Sequence, residues 1–159
     1  MPKKYWLAEN GTVRCLNNDC PETCSMSCPI YVQTIALEHL IKNNFSEAAR
    51  LLRKAVEIEP TFADAWNNLA ACCGQMGDHQ GAYDAYEKSF NLLAKPNPLY
   101  GLAVASKNLR NYTRARDYAT SYAMMFGSDG RITALLAEIT EKEKSGVLFK
   151  KFFGGKGRK

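Results

Sequence analysis

A chain of 159 residues with 46% hydrophobic content is long enough for one ordinary core, and no apolar run reaches the length that crosses a bilayer. The net charge of +5 equals the charge of residues 147–159, which hold Lys150, Lys151, Lys156, Arg158 and Lys159 and no acid; the rest of the chain is neutral and lacks the bulk charge that steers nucleic acid. The opening MPKKYWLAENG has no apolar stretch of the signal-peptide kind, so a cytoplasmic location is expected.

The first feature in chain order is RCLNNDCPETCSMSCPI, where Cys15, Cys20, Cys24 and Cys28 fall within fourteen residues. A reducing compartment makes a metal the expected staple, and four thiolates match tetrahedral zinc or an iron–sulfur cluster. Two disulfides or four unlinked thiols are the alternatives, since cysteine spacing fixes neither connectivity nor metal. The Cys28-Pro29 pair resembles a ferredoxin ending, but the gaps before it depart from that pattern. Pro29 suits the first position of a helix, which puts Cys28 at its N-cap, where free N–H groups favour a thiolate.

Residues 29–60 predict two helices around a turn at Asn43-Asn44. The first is expected to bury Val32, Ile35, Ala36 and His39, the second Ala48, Leu51, Leu52, Ala55 and Ile58. His39 reads as a packing histidine, because no second histidine or acid pairs with it on that face. In residues 61–92 the stripe Ala63, Trp66, Leu69 and Ala70 continues through Cys73 and Met76 to a stop at Gly77-Asp78, and a second stripe follows with Ala82, Ala85, Tyr86 and Phe90. Cys72 and Cys73 point ~100° apart on a helix and cannot hold one metal together. A third unit covers residues 97–126. Its Lys107, Arg110, Arg114 and Arg116 are expected on a solvated face, with an acidic partner or phosphate groups as the alternative. They lack the interleaved aromatics of a single-strand binding platform.

After Gly127-Ser128-Asp129-Gly130, the stripe Ile132, Leu135, Leu136 and Ile139 predicts a capping helix, with Glu138 pairing Lys142 and Gly146 closing it. The tail VLFKKFFGGKGRK sets aromatics against lysines; packing on the cap is expected, and contact with an anionic membrane or docking on a protein groove are the alternatives.

The units repeat. Ala48, Ala82 and Ala115 stand 34 and 33 residues apart, each three residues after Phe45, His79 or Tyr112. The pattern Trp66, Leu69, Ala70, Gly77, Ala82 and Tyr86, with Pro60 closing the unit before, strongly resembles the tetratricopeptide repeat over residues 29–126. Val32 and Leu99 stand where the middle unit has Trp66. The resemblance implies an all-α solenoid of about three helix-turn-helix repeats, residues 29–146 with the capping helix, between a cysteine-rich segment at 1–28 and a tail at 147–159. It also implies a concave groove lined by first helices that binds a peptide or a partner's helix. The groove candidates are Gln33, Thr34 and Leu37, then Asp64, Asn67, Asn68, Ala71 and Gln75, then Tyr100, Val104, Lys107 and Asn108. Members that grip a C-terminal carboxylate use several basic residues and asparagines; only Asn68 matches, so such a clamp is not expected.

No phosphate-binding glycine loop, zinc-protease histidine pair or nucleophile elbow occurs. The expected function is a non-enzymatic interaction module with a four-cysteine metal site. The alternative is an iron–sulfur electron-transfer protein whose repeats dock a partner.

Overall fold

The computed structural model describes residues 26–153, with side chains to residue 145, and two backbone strands ahead of them. Strand β1 (Tyr5–Leu7) pairs antiparallel with β2 (Val13–Cys15), Tyr5 facing Cys15 and Leu7 facing Val13. This short ribbon adds two strands to a segment read only as cysteine-rich. Seven described helices follow: α1 (Pro29–Ile41), α2 (Phe45–Ile58), α3 (Ala63–Gln75), α4 (His79–Leu92), α5 (Pro96–Asn108), α6 (Tyr112–Phe126) and α7 (Gly130–Phe153). Each packs on the next, α3 also touches α5, and α5 also touches α7, the nearest-neighbour pattern of a solenoid. None of the described helices is long and apolar enough to cross a membrane.

The repeat period is written in the turns. Asn43, Gly77 and Arg110 take positive φ (56°, 80° and 61°), and the next residue of each, Asn44, Asp78 or Asn111, is the N-cap of α2, α4 or α6. Each cap side chain accepts from a backbone N–H three residues on, at Glu47, Gly81 and Arg114. The left-handed step turns the chain, and the cap satisfies a first-turn donor that has no intrahelical acceptor. Arginine is poorly suited to this backbone, whose cost to an L-residue is about 1 kcal/mol. Arg110→Gly is therefore expected to raise the unfolding free energy by roughly 0.5–1 kcal/mol, part of the relief being returned as glycine's extra unfolded-state entropy. A shift of the urea midpoint to higher concentration at unchanged m checks it.

The helix hairpins close on alanine, with Ala48, Ala82 and Ala115 at most 2% exposed. Ser89 Oγ donates to the Ala63 carbonyl at 2.8 Å, and Trp66 Nε1 donates to the Pro60 carbonyl at 2.8 Å with Lys88 over its ring. The buried faces are wider than single stripes. Ala49 and Val56 are buried on α2 and Ala65 and Cys72 on α3, because each of these helices is packed on both sides. Ile58 and Met76, expected inside, are exposed at the helix ends, and Ile35 and His39 are half-buried.

The cap forms as expected from Ile132, Leu135 and Ile139, all buried, with Leu136 packed beside them. Asp129 caps α7, its carboxylate accepting from the N–H groups of Arg131 and Ile132 at 2.9 and 3.0 Å. The bond from the Ile132 N–H, then the Arg131 guanidinium, holds the Asp129 carboxyl below its ordinary value. Glu138 accepts from Lys107 Nζ at 2.8 Å rather than pairing with Lys142. Helix α7 also runs past Gly146 to Phe153, so the first part of the tail continues the cap.

Candidate functional site

The first helices of the three units carry matching stripes at one-turn intervals: Gln33, Leu37 and Ile41 on α1, Asn67, Ala71 and Gln75 on α3, Tyr100, Val104 and Asn108 on α5. Between α3 and α5 these stripes border a hollow of about 240 Å3, reached also by His79, Ala82 and Tyr86 of α4 and by Gly101. Small residues make it. Ala71, Gly74 and Ala82 leave room where α3 and α4 approach, and a Cβ on Gly101 would overlap the Tyr86 ring. Tyr86 thus takes the space in front of α5 that a side chain at position 101 would need.

The walls are mostly apolar, and the polar groups on them are unevenly satisfied. Gln33 Oε1 and Asn67 Oδ1, at equivalent positions of α1 and α3, are buried with no hydrogen-bond partner among the described residues. A buried, unpaired amide oxygen costs about 1–3 kcal/mol, and both oxygens are closed off from the groove surface as they stand. Tyr100 is half-buried and fixed edge-on against Tyr122 at 6.2 Å, with the Arg131 guanidinium 5.5 Å over its ring. Gln75 and Asn108 reach the rim of the hollow, and Asn68 is half-buried one residue off the stripe. Two candidates are engaged elsewhere. Asp64 accepts from Lys95 at 2.7 Å in an exposed pair, and the Lys107 side chain, 17% exposed, is bound to Glu138 of the cap. Arg116 is likewise paired with Glu143, so half of the basic patch serves to tie α5 and α6 to α7.

His79, Tyr86 and Gly101 border the hollow without having been candidates. Tyr86 belongs to the repeat motif and was read only as core, and the value of Gly101 lies in an absent side chain, which no periodicity registers.

Of the four clustered cysteines, Cys20 and Cys24 lie outside the described residues and Cys15 is described only as backbone of β2. Cys28 stands at the N-cap of α1 as a free thiol. No group of three or more metal-ligating side chains occurs among the described residues. Cys72 and Cys73 are buried free thiols behind the hollow; burial pushes Cys72 up to about 11 and Tyr86 to about 12. Both groups are held neutral by the folded state, so their contribution is complete below the ordinary thiol value of 9.0 and is lost as pH rises through 11 to 12. Stability is expected to fall above pH 9.0, and Cys72→Val to blunt the fall between 9.0 and 11. Urea midpoints from pH 8 to 11 read it out; an identical slope in the variant would exclude Cys72 as a source.

Comparison with known proteins accords with this architecture. The family described as Tetratricopeptide repeat matches residues 51–84, from within α2 to within α4. The general transcriptional corepressor trfA of Dictyostelium discoideum is 31% identical over 88 residues, 54% of this chain; the match spans 6% of that relative's length. Among solved structures, the first TPR of Spaghetti (RPAP3), bound to the HSP90 peptide SRMEEVD, superposes with a TM-score of 0.71 at 12% identity over 76% of this chain and 96% of that one. The Sgt2 TPR domain from Aspergillus fumigatus superposes with a TM-score of 0.68 at 18% identity, over 78% of this chain and 86% of that one.

Proposed function

We propose that this chain, which carries a tetratricopeptide repeat and the fold of tetratricopeptide-repeat domains, is a non-enzymatic, cytoplasmic interaction module that binds an extended peptide or a partner helix along α1, α3 and α5. The observation that carries this reading is the pair of unpartnered amide oxygens, Gln33 Oε1 and Asn67 Oδ1, at repeat-equivalent positions of neighbouring first helices. By turning outward, the two side-chain amides trade an unmet acceptor for the N–H groups of a ligand main chain, and the hollow beside Tyr100 suits one apolar side chain. The peptide of the similar complex supports the ligand class. Recognition of a terminal carboxylate is not carried over, because Lys107, the basic candidate on α5, is spent on Glu138.

The test is a random peptide library panned on the whole chain, followed by affinity measurement on wild type and Asn67→Ala. The variant is expected to weaken selected peptides roughly tenfold while its unfolding free energy stays level or rises, since it removes an unsatisfied polar atom. A destabilised variant with unchanged affinity would assign Asn67 to the scaffold instead.

We also propose that Cys15, Cys20, Cys24 and Cys28 bind one metal ion, zinc, with an iron–sulfur cluster as the second assignment. The support is their clustering in sequence and the position of Cys28 at a helix N-terminus. Metal, acid-labile sulfide and thiol content of protein purified anaerobically without chelator decide it. One zinc per chain supports a structural staple; iron with sulfide favours an electron-transfer protein that docks through the groove. Absence of metal with all thiols titratable, or with few of them, removes the site in favour of free thiols or disulfides.

A further inference from the structure

A second hollow, of about 260 Å3, lies where the α5–α6 turn meets the start of α4, lined by Gln80, Tyr83, Ser106, Leu109, Asn111 and Arg114. Arg114 and Ser106 line it, and Asn111 brings the start of α6 to its edge. Helix α6 begins behind Asn111, whose side chain accepts from the Arg114 N–H, so the first-turn N–H groups of Tyr112 and Thr113 have no intrahelical acceptor and stand at the positive end of a 15-residue helix. Arg114 makes no ion pair among the described residues, unlike its neighbours Lys107 and Arg116. Ser106 is 1% exposed, and its hydroxyl has no hydrogen-bond partner among the described residues. No acid is among the lining residues, and the two carboxylates nearest the opposite wall are engaged: Glu87 accepts from Tyr83, which also bonds Tyr118 at 2.7 Å, and Asp84 accepts from the Gln80 amide at 2.7 Å.

We propose that this hollow binds a phosphate-type oxyanion through the Arg114 guanidinium, the first-turn amides of α6 and the Ser106 hydroxyl. A tetrahedral dianion uses what is assembled here: a fork of guanidinium donors, oriented backbone N–H groups at a helix start, and a buried hydroxyl with its bond unmade. The preceding junction of the solenoid is built otherwise. There the residues equivalent to Asn111, Arg114 and Ser106 are Asp78, Gly81 and Cys73, and the Asp78 carboxylate itself accepts from the Gly81 N–H at 2.9 Å. The chain's own acid fills that helix start, whereas the start of α6 keeps its charge available.

The source is either free phosphate or a phosphorylated side chain of a partner, and both present the same group. The experiment is an amide NMR titration of the full chain with inorganic phosphate, and separately with N-acetyl-phosphoserine amide, against chloride at matched ionic strength. Saturable shifts are expected at Ser106, Tyr112, Thr113 and Arg114, and not at Ser46 and Glu47 of α2, whose start is also capped by an asparagine. Arg114→Gln is expected to weaken binding at least tenfold, and Ser106→Ala several-fold with no loss of the urea midpoint. Tighter binding of the phosphoserine probe identifies a modified partner, and equal or weaker binding the free anion. Shifts that spread over exposed lysines without saturating, or an unchanged affinity in Arg114→Gln, overturn the site.

Discussion

Replacing Leu102 by alanine is expected to lower the unfolding free energy by about 3 kcal/mol, within the 2–5 kcal/mol typical of such truncations. Leu102 is 1% exposed in the middle of α5, the helix that packs against α3, α4, α6 and α7 together. A side chain this deeply buried in a helix held by several neighbours leaves a cavity that collapse fills poorly. With about 5–15 kcal/mol of total stability for a domain of this kind, the loss is a sizeable fraction. It should appear as a fall of about 1–2 M in the urea midpoint at unchanged m. Lys95→Ala, which breaks an ion pair whose partners are 46% and 56% exposed, is expected to cost no more than about 1 kcal/mol. A Leu102 variant that loses no more than the Lys95 variant would mean that α5 is loosely held and that the solenoid is not organised around it.

The central place of α5 was not visible before the fold was known, although much else was. The turns at Asn43 and Gly77 were legible because they obey local chemistry, asparagine or glycine where φ is positive with a polar residue next, whereas the turn at Arg110 sets a residue of no such preference in the same backbone. Ala48, Ala82 and Ala115 were legible because close helix approach demands a small side chain wherever it recurs. Ala49, Val56, Ala65 and Cys72 were missed because a single amphipathic stripe describes a helix with one neighbour, and α2 has two and α3 three. The N-terminal ribbon was missed as well: Tyr5–Leu7 and Val13–Cys15 are three residues each, too short for an alternation to declare itself.

At the candidate groove the division is similar. The resemblance to the repeat family implied that Gln33, Asn67, Gln75, Tyr100 and Asn108 sit on first helices, and they lie on α1, α3 and α5. The pairing of Lys107 with Glu138 and of Arg116 with Glu143 joins residues far apart in the chain, and a long charged side chain declares no partner in its own helix. The basic patch therefore read as uniformly solvated when it consists of two ties to the cap and two cations without ion pairs among the described residues, Arg110 and Arg114. Helix α7 passed its expected stop because one glycine inside a helix costs only about 1 kcal/mol, which the neighbouring turns outweigh.

Substituting aspartate for Ile139 is expected to detach the cap while leaving the first repeats folded. Ile139 and Ile132 are 0% exposed and Leu135 is 4% exposed, all directed into the contact of α7 with α6 and α5. Burial of three such side chains contributes roughly 5–8 kcal/mol before entropy is counted, and a carboxylate in their midst would have to be stripped of water. Undocking is the cheaper response, since α7 touches only the end of the stack and a solenoid transmits a loss through neighbour contacts alone. Hydrogen exchange is expected to show α7 amides losing protection by several hundred-fold or more, α5 and α6 by less, and α2 and α3 hardly at all. Uniform loss across all seven described helices would show instead that the cap and the repeats form one cooperative unit, with the end of the stack as necessary to the first repeat as to the last.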